Sequence, residues 1–191
     1  FKYLVAVGYP KDHLFNDLKK KSKEIRKKLE LNNAKKILCF FDNGFDKFDD
    51  FNYDLSQLLD EYKFLLGKVI EKEWFGLIIK SKTPRLIIHH LNESLYNLYD
   101  KAMNTGRCYF LSVNQVNSDK NTESIPAEFA MASDIALHNS IASGTAGIES
   151  ILSSTPTIFF DSLGWNSLIE NNGDSHQLVF RNWSKLWQYL E

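Results

Sequence analysis

Short apolar runs alternate with longer segments of helical periodicity along most of the chain. The apolar runs cover residues 35–41 (KKILCFF), 75–80 (FGLIIK), 107–112 (RCYFLS), 134–138 (DIALH), 157–160 (TIFF) and 177–180 (QLVF). Each is too short for a helix and apolar at consecutive positions, the pattern of a strand covered on both faces. Between them, residues 55–72 place Leu55, Leu58, Leu59, Tyr62, Leu65, Leu66 and Val69 at helical spacing. Residues 89–103 repeat that spacing with Leu91, Leu95, Leu98, Tyr99 and Ala102, and Gly106 follows as a stop signal. Residues 182–190 form a last amphipathic segment with Trp183, Leu186, Trp187 and Leu190. Six strands alternating with helices predict an α/β fold, a Rossmann-like doubly wound parallel sheet with helices on both faces. Such sheets bind ligands at the carboxyl ends of their strands, near the point where strand order reverses. The residues just after the strands therefore matter most.

Residues 1–34 read differently. Residues 3–7 fit a strand, Gly8-Tyr9-Pro10 a turn, and residues 12–31 a helix rich in Lys and Arg. The basic run is either a solvated helix face or a patch facing an anionic membrane surface or polyanionic acceptor. Residues 42–61 hold seven acidic residues and one Lys, which offsets it.

Composition narrows the classes. The chain has 191 residues and 22.1 kDa, enough for one ordinary domain with a real core. Lys and Arg number 23 and Asp and Glu 24, which argues against a dedicated nucleic-acid binder. No apolar run approaches the roughly 20 residues that span a bilayer. Cys39 and Cys108 sit in apolar runs and are expected as buried free thiols of a reducing compartment. The chain starts at Phe1, which suggests an excised piece, and shows no signal peptide.

The segment with the most chemical content is 132–165. The strand 134–138 runs into a small polar loop, 139–144, and a helix follows with Ser143 or Thr145 at its start. A helix start offers unpaired N–H groups and a positive dipole end. Small residues let a phosphate approach it, and Ser140, Ser143, Gly144 and Thr145 suit that role. Glu149 lies one turn further, where its carboxylate could accept from the vicinal hydroxyls of a ribose. The alternative is that Ser143 merely caps the helix and Glu149 is a surface residue. His138 ends the strand before this loop, either as a ligand contact or as a packed side chain with a local hydrogen bond. After the first strand, Asn43 and Gly44 either approach a ligand or form a plain turn. After the second, Lys80 and Lys82 could supply positive charge or be solvated. Phe45 and Trp165 either flank a nucleobase or pack. His89 and His90 are adjacent and cannot share a metal in an ordinary way, and no His or Cys spacing fits a structural metal site. The motifs of nucleophile-elbow hydrolases, P-loop NTPases and dinucleotide dehydrogenases are missing.

The stretch from Ala132-Ser133-Asp134 through Ser140, Ser143, Thr145 and Glu149 to Thr155-Pro156 and Phe160-Asp161 resembles the donor-nucleotide half of GT-B glycosyltransferases. It is most similar to the bacterial surface-polysaccharide and CDP-glycerol glycerophosphotransferase-like groups, with Thr155 where those have Gly. Gly8-Tyr9-Pro10-Lys11-Asp12-His13-Leu14 is similar to the segment that leads into their donor domain, so the resemblance implies residues 1–34 as an interdomain linker segment and helix and residues 35–191 as the nucleotide-sugar-binding domain. Lys80-Ser81-Lys82-Thr83-Pro84 resembles a phosphate-contacting loop of related transferases, with Thr83 in place of the family's His. The resemblance implies a sheet in order 3-2-1-4-5-6. It implies a nucleotide-activated sugar or polyol donor as substrate, no cofactor and no metal for donor binding. It further implies a glycan or glycolipid acceptor, and a general base, supplied by an N-terminal domain outside this chain. This piece alone would then bind nucleotide weakly without transferase activity. The location implied is cytoplasmic, at the inner face of the membrane, with peripheral membrane association of the full-length enzyme and capsule or lipopolysaccharide synthesis as the setting. A UDP-sugar 2-epimerase shares the fold, although Ser143-Gly144-Thr145 lacks its double glycine. From another class come a non-catalytic flavodoxin-like module, with Asp42 in the place of a receiver's phosphoacceptor, and a degenerate domain serving only as an interaction partner.

Overall fold

The computed structural model describes residues 8–43, 55–82, 91–110, 125–141, 144–162, 164 and 178–191. A 3-10 turn, Asp12–Leu14, opens into α1, Phe15–Glu30. Then follow β1 (Lys36–Phe41), α2 (Leu55–Glu71), β2 (Phe75–Lys80), α3 (Glu93–Asn104), β3 (Cys108–Phe110) and α4 (Pro126–Ala130). The chain continues through β4 (Ile135–His138), α5 (Thr145–Leu152), β5 (Thr157–Phe160), β6 (Val179–Phe180) and α6 (Trp183–Leu190). All six strands are parallel, in the order β3-β2-β1-β4-β5-β6. This is the predicted doubly wound α/β sheet.

The strands alternate their side chains between two apolar layers. One layer joins Leu38, Phe40, Leu77, Ile79, Leu137, Ile158 and Phe160 to α2, α3 and α6, through residues such as Tyr62, Leu65, Leu95 and Trp187. The other joins Ile37, Cys39, Phe41, Ile78 and Ala136 to Ile25 and Leu29 of α1 and Phe129 and Ala130 of α4. Leu38, Leu65 and Leu66 are almost fully buried, and each such side chain contributes about 1.5–3 kcal/mol.

Local signals explain the ends of the elements. Asn92 caps α3 by accepting from the Leu95 N–H at 2.9 Å, and Asn182 caps α6 through the Lys185 N–H at 3.1 Å. Gly106 follows α3 with φ +70°, and a Cβ there would run into the Asn32 side chain. The predicted helix at 89–103 is described from its cap at Asn92 onward. The helix expected over 12–31 is split into the 3-10 turn and α1. Helix α4 has no counterpart in the sequence reading. The expected strand at 3–7 lies outside the described residues.

Helix α1 is tied to the sheet by polar contacts as well as packing. Ser22 Oγ donates to the Glu128 carbonyl at 2.8 Å. Arg26 donates to Asp134 Oδ1 at 2.9 Å, and Asp134 Oδ2 accepts from the Ile37 N–H at 2.7 Å. No described helix is long and apolar enough to cross a membrane.

Candidate functional site

The chain runs outward from β1 through β2 to β3, then returns to β4 on the other side of β1 and continues to β5 and β6. The switch point therefore lies between β1 and β4. There the strand ends stand in one row: Phe41 pairs with Lys80 of β2 on one side and His138 of β4 on the other. A cleft of about 350 Å³ opens above this row, lined by Phe41, Asp42, Asn43, Lys80, Lys82, Pro126, His138, Thr145 and Ala146.

Buried polar contacts hold the loops that form its floor. Asp42 accepts from the Tyr62 hydroxyl through Oδ2 and from the Lys82 N–H through Oδ1 at 2.9 Å. The Asn139 side chain accepts from the Asn43 N–H at 2.8 Å and donates to Glu61 Oε2 at 2.8 Å. The Asn139 N–H also donates to the Phe41 carbonyl at 3.1 Å. The loops after β1, β2 and β4 are thereby fastened to one another and to α2. Burial, reinforced by the Asp42 carboxylate, pushes the Tyr62 hydroxyl well above its ordinary pKa, so it stays a donor. Asp42, the residue considered as a receiver-like phosphoacceptor, is buried and bonds both to Tyr62 and to the loop after β2.

Cationic and dipolar groups face the cleft. Burial lowers the pKa of the Lys80 ammonium, and nearby Asp42 opposes that shift. An anion entering the cleft would find Lys80 with much of its hydration already removed. Lys82 is exposed at the rim. The start of α5 has Gly144 as N-cap with no side-chain capping bond, and its first intrahelical N–H bond is Ile148 to the Gly144 carbonyl, at 2.9 Å. The N–H groups of Thr145, Ala146 and Gly147 precede that bond. Glycine is needed at 147 because a Cβ there would lie 2.7 Å from the Phe159 ring. This close approach lets α5 settle on β5 with its N-terminus at the cleft.

His138 is 3% exposed. Its Nδ1 lies 3.1 Å from the Ser140 N–H and 2.8 Å from the Ser140 carbonyl oxygen. Burial drives its pKa down to about 4, helped by Lys82 and opposed by the Ser140 backbone, so the ring is neutral at pH 7. His138 thus both lines the cleft and makes the local hydrogen bond that the sequence offered as an alternative.

Glu149 is not the surface residue that one reading allowed; it is 6% exposed. Its Oε1 accepts from the Tyr9 hydroxyl, and its buried Oε2 has no hydrogen-bond partner among the described residues. Burial, and then Glu149 itself, push the Tyr9 pKa up to about 12. Tyr9 therefore remains a donor to the carboxylate.

Of the residues picked from sequence, the cleft brings together Asn43, Lys80, Lys82, His138 and Thr145. Gly144 adjoins them as the α5 cap. Ser140 contributes its backbone to His138, and Glu149 lies a turn deeper under Tyr9. Gly44, Phe45, His89, His90, Ser143 and Trp165 lie outside the described residues. Sequence reading missed Pro126, whose place depends on the unforeseen α4, and the roles of Tyr9 and Asn139. The only signal for Asn139 was a polar amide directly after a strand. Among the described residues no group of three or more His, Cys, Asp or Glu side chains could hold a metal ion. No known protein family, curated protein or solved structure matches this chain.

Proposed function

We propose that this chain is the donor-binding domain of a GT-B-type glycosyltransferase and holds a nucleotide-activated sugar or polyol in the switch-point cleft. The observation that carries the reading is the convergence of a largely buried Lys80, the exposed Lys82 and the N-terminal turn of α5 on one cleft at the strand ends. A pyrophosphate suits these groups: helix N–H groups and the Thr145 hydroxyl donate, and the lysines add charge. The same groups would stabilise the charge that develops on a departing nucleotide, which is the largest task in such a transfer. The unpartnered Oε2 of buried Glu149 supports a ribose nearby, since a hydroxyl donor would relieve its desolvation.

The test is thermal unfolding against a panel of CDP, UDP, GDP, CMP and their sugar or polyol conjugates. A ligand at about 100 times its Kd adds about 2.7 kcal/mol, which raises Tm by several degrees for a domain of this size. One nucleotide class should stabilise the chain, and Glu149→Ala should remove the shift. No shift with any nucleotide at millimolar concentration overturns the reading.

A further inference from the structure

The Tyr9 hydroxyl donates to Glu149 Oε1 across 140 positions of sequence. The other oxygen, Oε2, is buried and has no hydrogen-bond partner among the described residues. Thr145, one turn before Glu149 on α5, lines the cleft. Burial lowers the Lys80 pKa and Glu149 is among the groups that oppose it, so the carboxylate lies within electrostatic reach of the cleft. With Tyr9 in place, a ribose finds no open oxygen on Glu149: one is taken and the other is shut off from solvent. Something has to move before this carboxylate can serve a ligand. Tyr9 stands on a segment that yields easily. None of residues 8–14 is buried, and Gly8 turns the chain with φ +72°, a conformation that glycine adopts at no steric cost. Segments with so little burial open at low free energy.

We infer that Tyr9 occupies the ribose subsite at Glu149 and that a vicinal diol displaces it. The inference rests on the nucleotide reading of the cleft and adds to it a competitor from the chain itself. Counting donors shows which ligands win. Tyr9 brings one hydroxyl to the carboxylate, so a ligand with a single hydroxyl exchanges one bond for one. A ribose brings two: it replaces the Tyr9 bond at Oε1 and satisfies the oxygen that Tyr9 leaves bare. That second bond counts for more than one at the surface, because the cost of burying Oε2 without a partner is already incurred. Tyr9 is thus a specificity-determining residue. It makes the pair of hydroxyls, and not either one, the condition for using Glu149.

The experiment is titration calorimetry of CDP, UDP and GDP, each beside its 2′-deoxy counterpart, and of inorganic pyrophosphate. The full 191-residue chain is compared with Tyr9→Phe, which keeps the ring and removes the competing donor. The ribonucleotide that binds the parent should bind Tyr9→Phe about tenfold more tightly, the weight of one hydrogen bond to a charged group. Inorganic pyrophosphate, which carries no diol, should bind both alike. Fluorine NMR of the parent chain, with fluorotyrosine placed at position 9 alone, reads the displacement without a variant that has to fold. The Tyr9 resonance should move when the ribonucleotide binds and stay in place with the 2′-deoxy counterpart. Unchanged or weaker ribonucleotide binding in Tyr9→Phe, or a Tyr9 resonance that stays in place as the ribonucleotide binds, would overturn the inference and leave the nucleotide reading intact. No nucleotide binding better than pyrophosphate to either chain would overturn both.

Discussion

His138 shows how one side chain can be placed in a cleft and yet be kept from acting as a cation. It ends β4 on the face of Phe41 and Lys80, and the fold has removed it from water. A histidine in the unfolded chain has a pKa of about 6.5, and in the folded chain the value is about 4. The folded state therefore resists protonation. The stability that this confers is fully present above pH 6.5 and is lost as pH falls from 6.5 toward 4. Denaturant unfolding at pH 7 and pH 5 should show the parent less stable at pH 5 by about 2 kcal/mol. His138→Gln should flatten the slope in that window, where most carboxylates do not yet titrate. An unchanged slope in the variant would mean that another group carries the acid sensitivity. The same burial means that any ligand contact by His138 at neutral pH is made by an uncharged ring.

At the scale of elements, Gly147 of α5 and its N-cap Gly144 decide where the N-terminus of α5 lies. A Cβ at Gly147 would meet Phe159 ring atoms at 2.7 and 2.9 Å, and one at Gly144 would meet the same ring at 3.0 Å. Phe159 is buried on β5 and has little room to yield. Alanine gains about 1 kcal/mol over glycine inside a helix, but overpacking a closed core costs about 1–3 kcal/mol. Gly147→Ala should therefore lower stability slightly in urea melts, and the shift of α5 should weaken any phosphate ligand several-fold in titration calorimetry. Unaltered affinity with intact stability would show that the α5 terminus does not hold the ligand. The strands were legible because a strand buried on both faces has to be apolar at nearly every position, as Ile37, Leu38, Cys39, Phe40 and Phe41 are. Helices α2, α3 and α6 were legible from one apolar stripe each. Helix α4 was not, since its five residues, Pro126–Ala130, are too few to show a period. The site was legible where a strand ends, at Asn43, Lys80 and His138. It was illegible where contact depends on distance across the fold, because no spacing links Tyr9 to Glu149 or Asn139 to Glu61.

Over the whole molecule, the sheet order sets a gradient of stability that the two cysteines can report. Cys39 sits on β1, hydrogen-bonded on one side to β2 and on the other to β4, at the centre of the sheet. Cys108 sits on β3, a three-residue strand at one edge of the described sheet, paired among the described residues with β2 alone. Both thiols are free and buried. Burial raises the Cys39 pKa well above its ordinary value and that of Cys108 to about 12. Neither supplies a reactive thiolate at pH 8 while the chain is folded. Labelling by a disulfide reagent must then wait for opening, and the size of that opening differs. Releasing Cys108 needs only the edge strand to leave β2, whereas releasing Cys39 breaks pairing on both sides and both apolar layers. Native labelling with 5,5′-dithiobis(2-nitrobenzoate) should therefore give two phases of one thiol each, and Cys108→Ala should remove the fast one. Low urea concentrations should speed the slow phase far more, because global opening exposes more surface than a fraying edge. A single rate for both thiols would mean that the sheet opens as one unit. If Cys39 reacted first, the weak point would lie at the β1–β4 switch, where the cleft is, rather than at the edge.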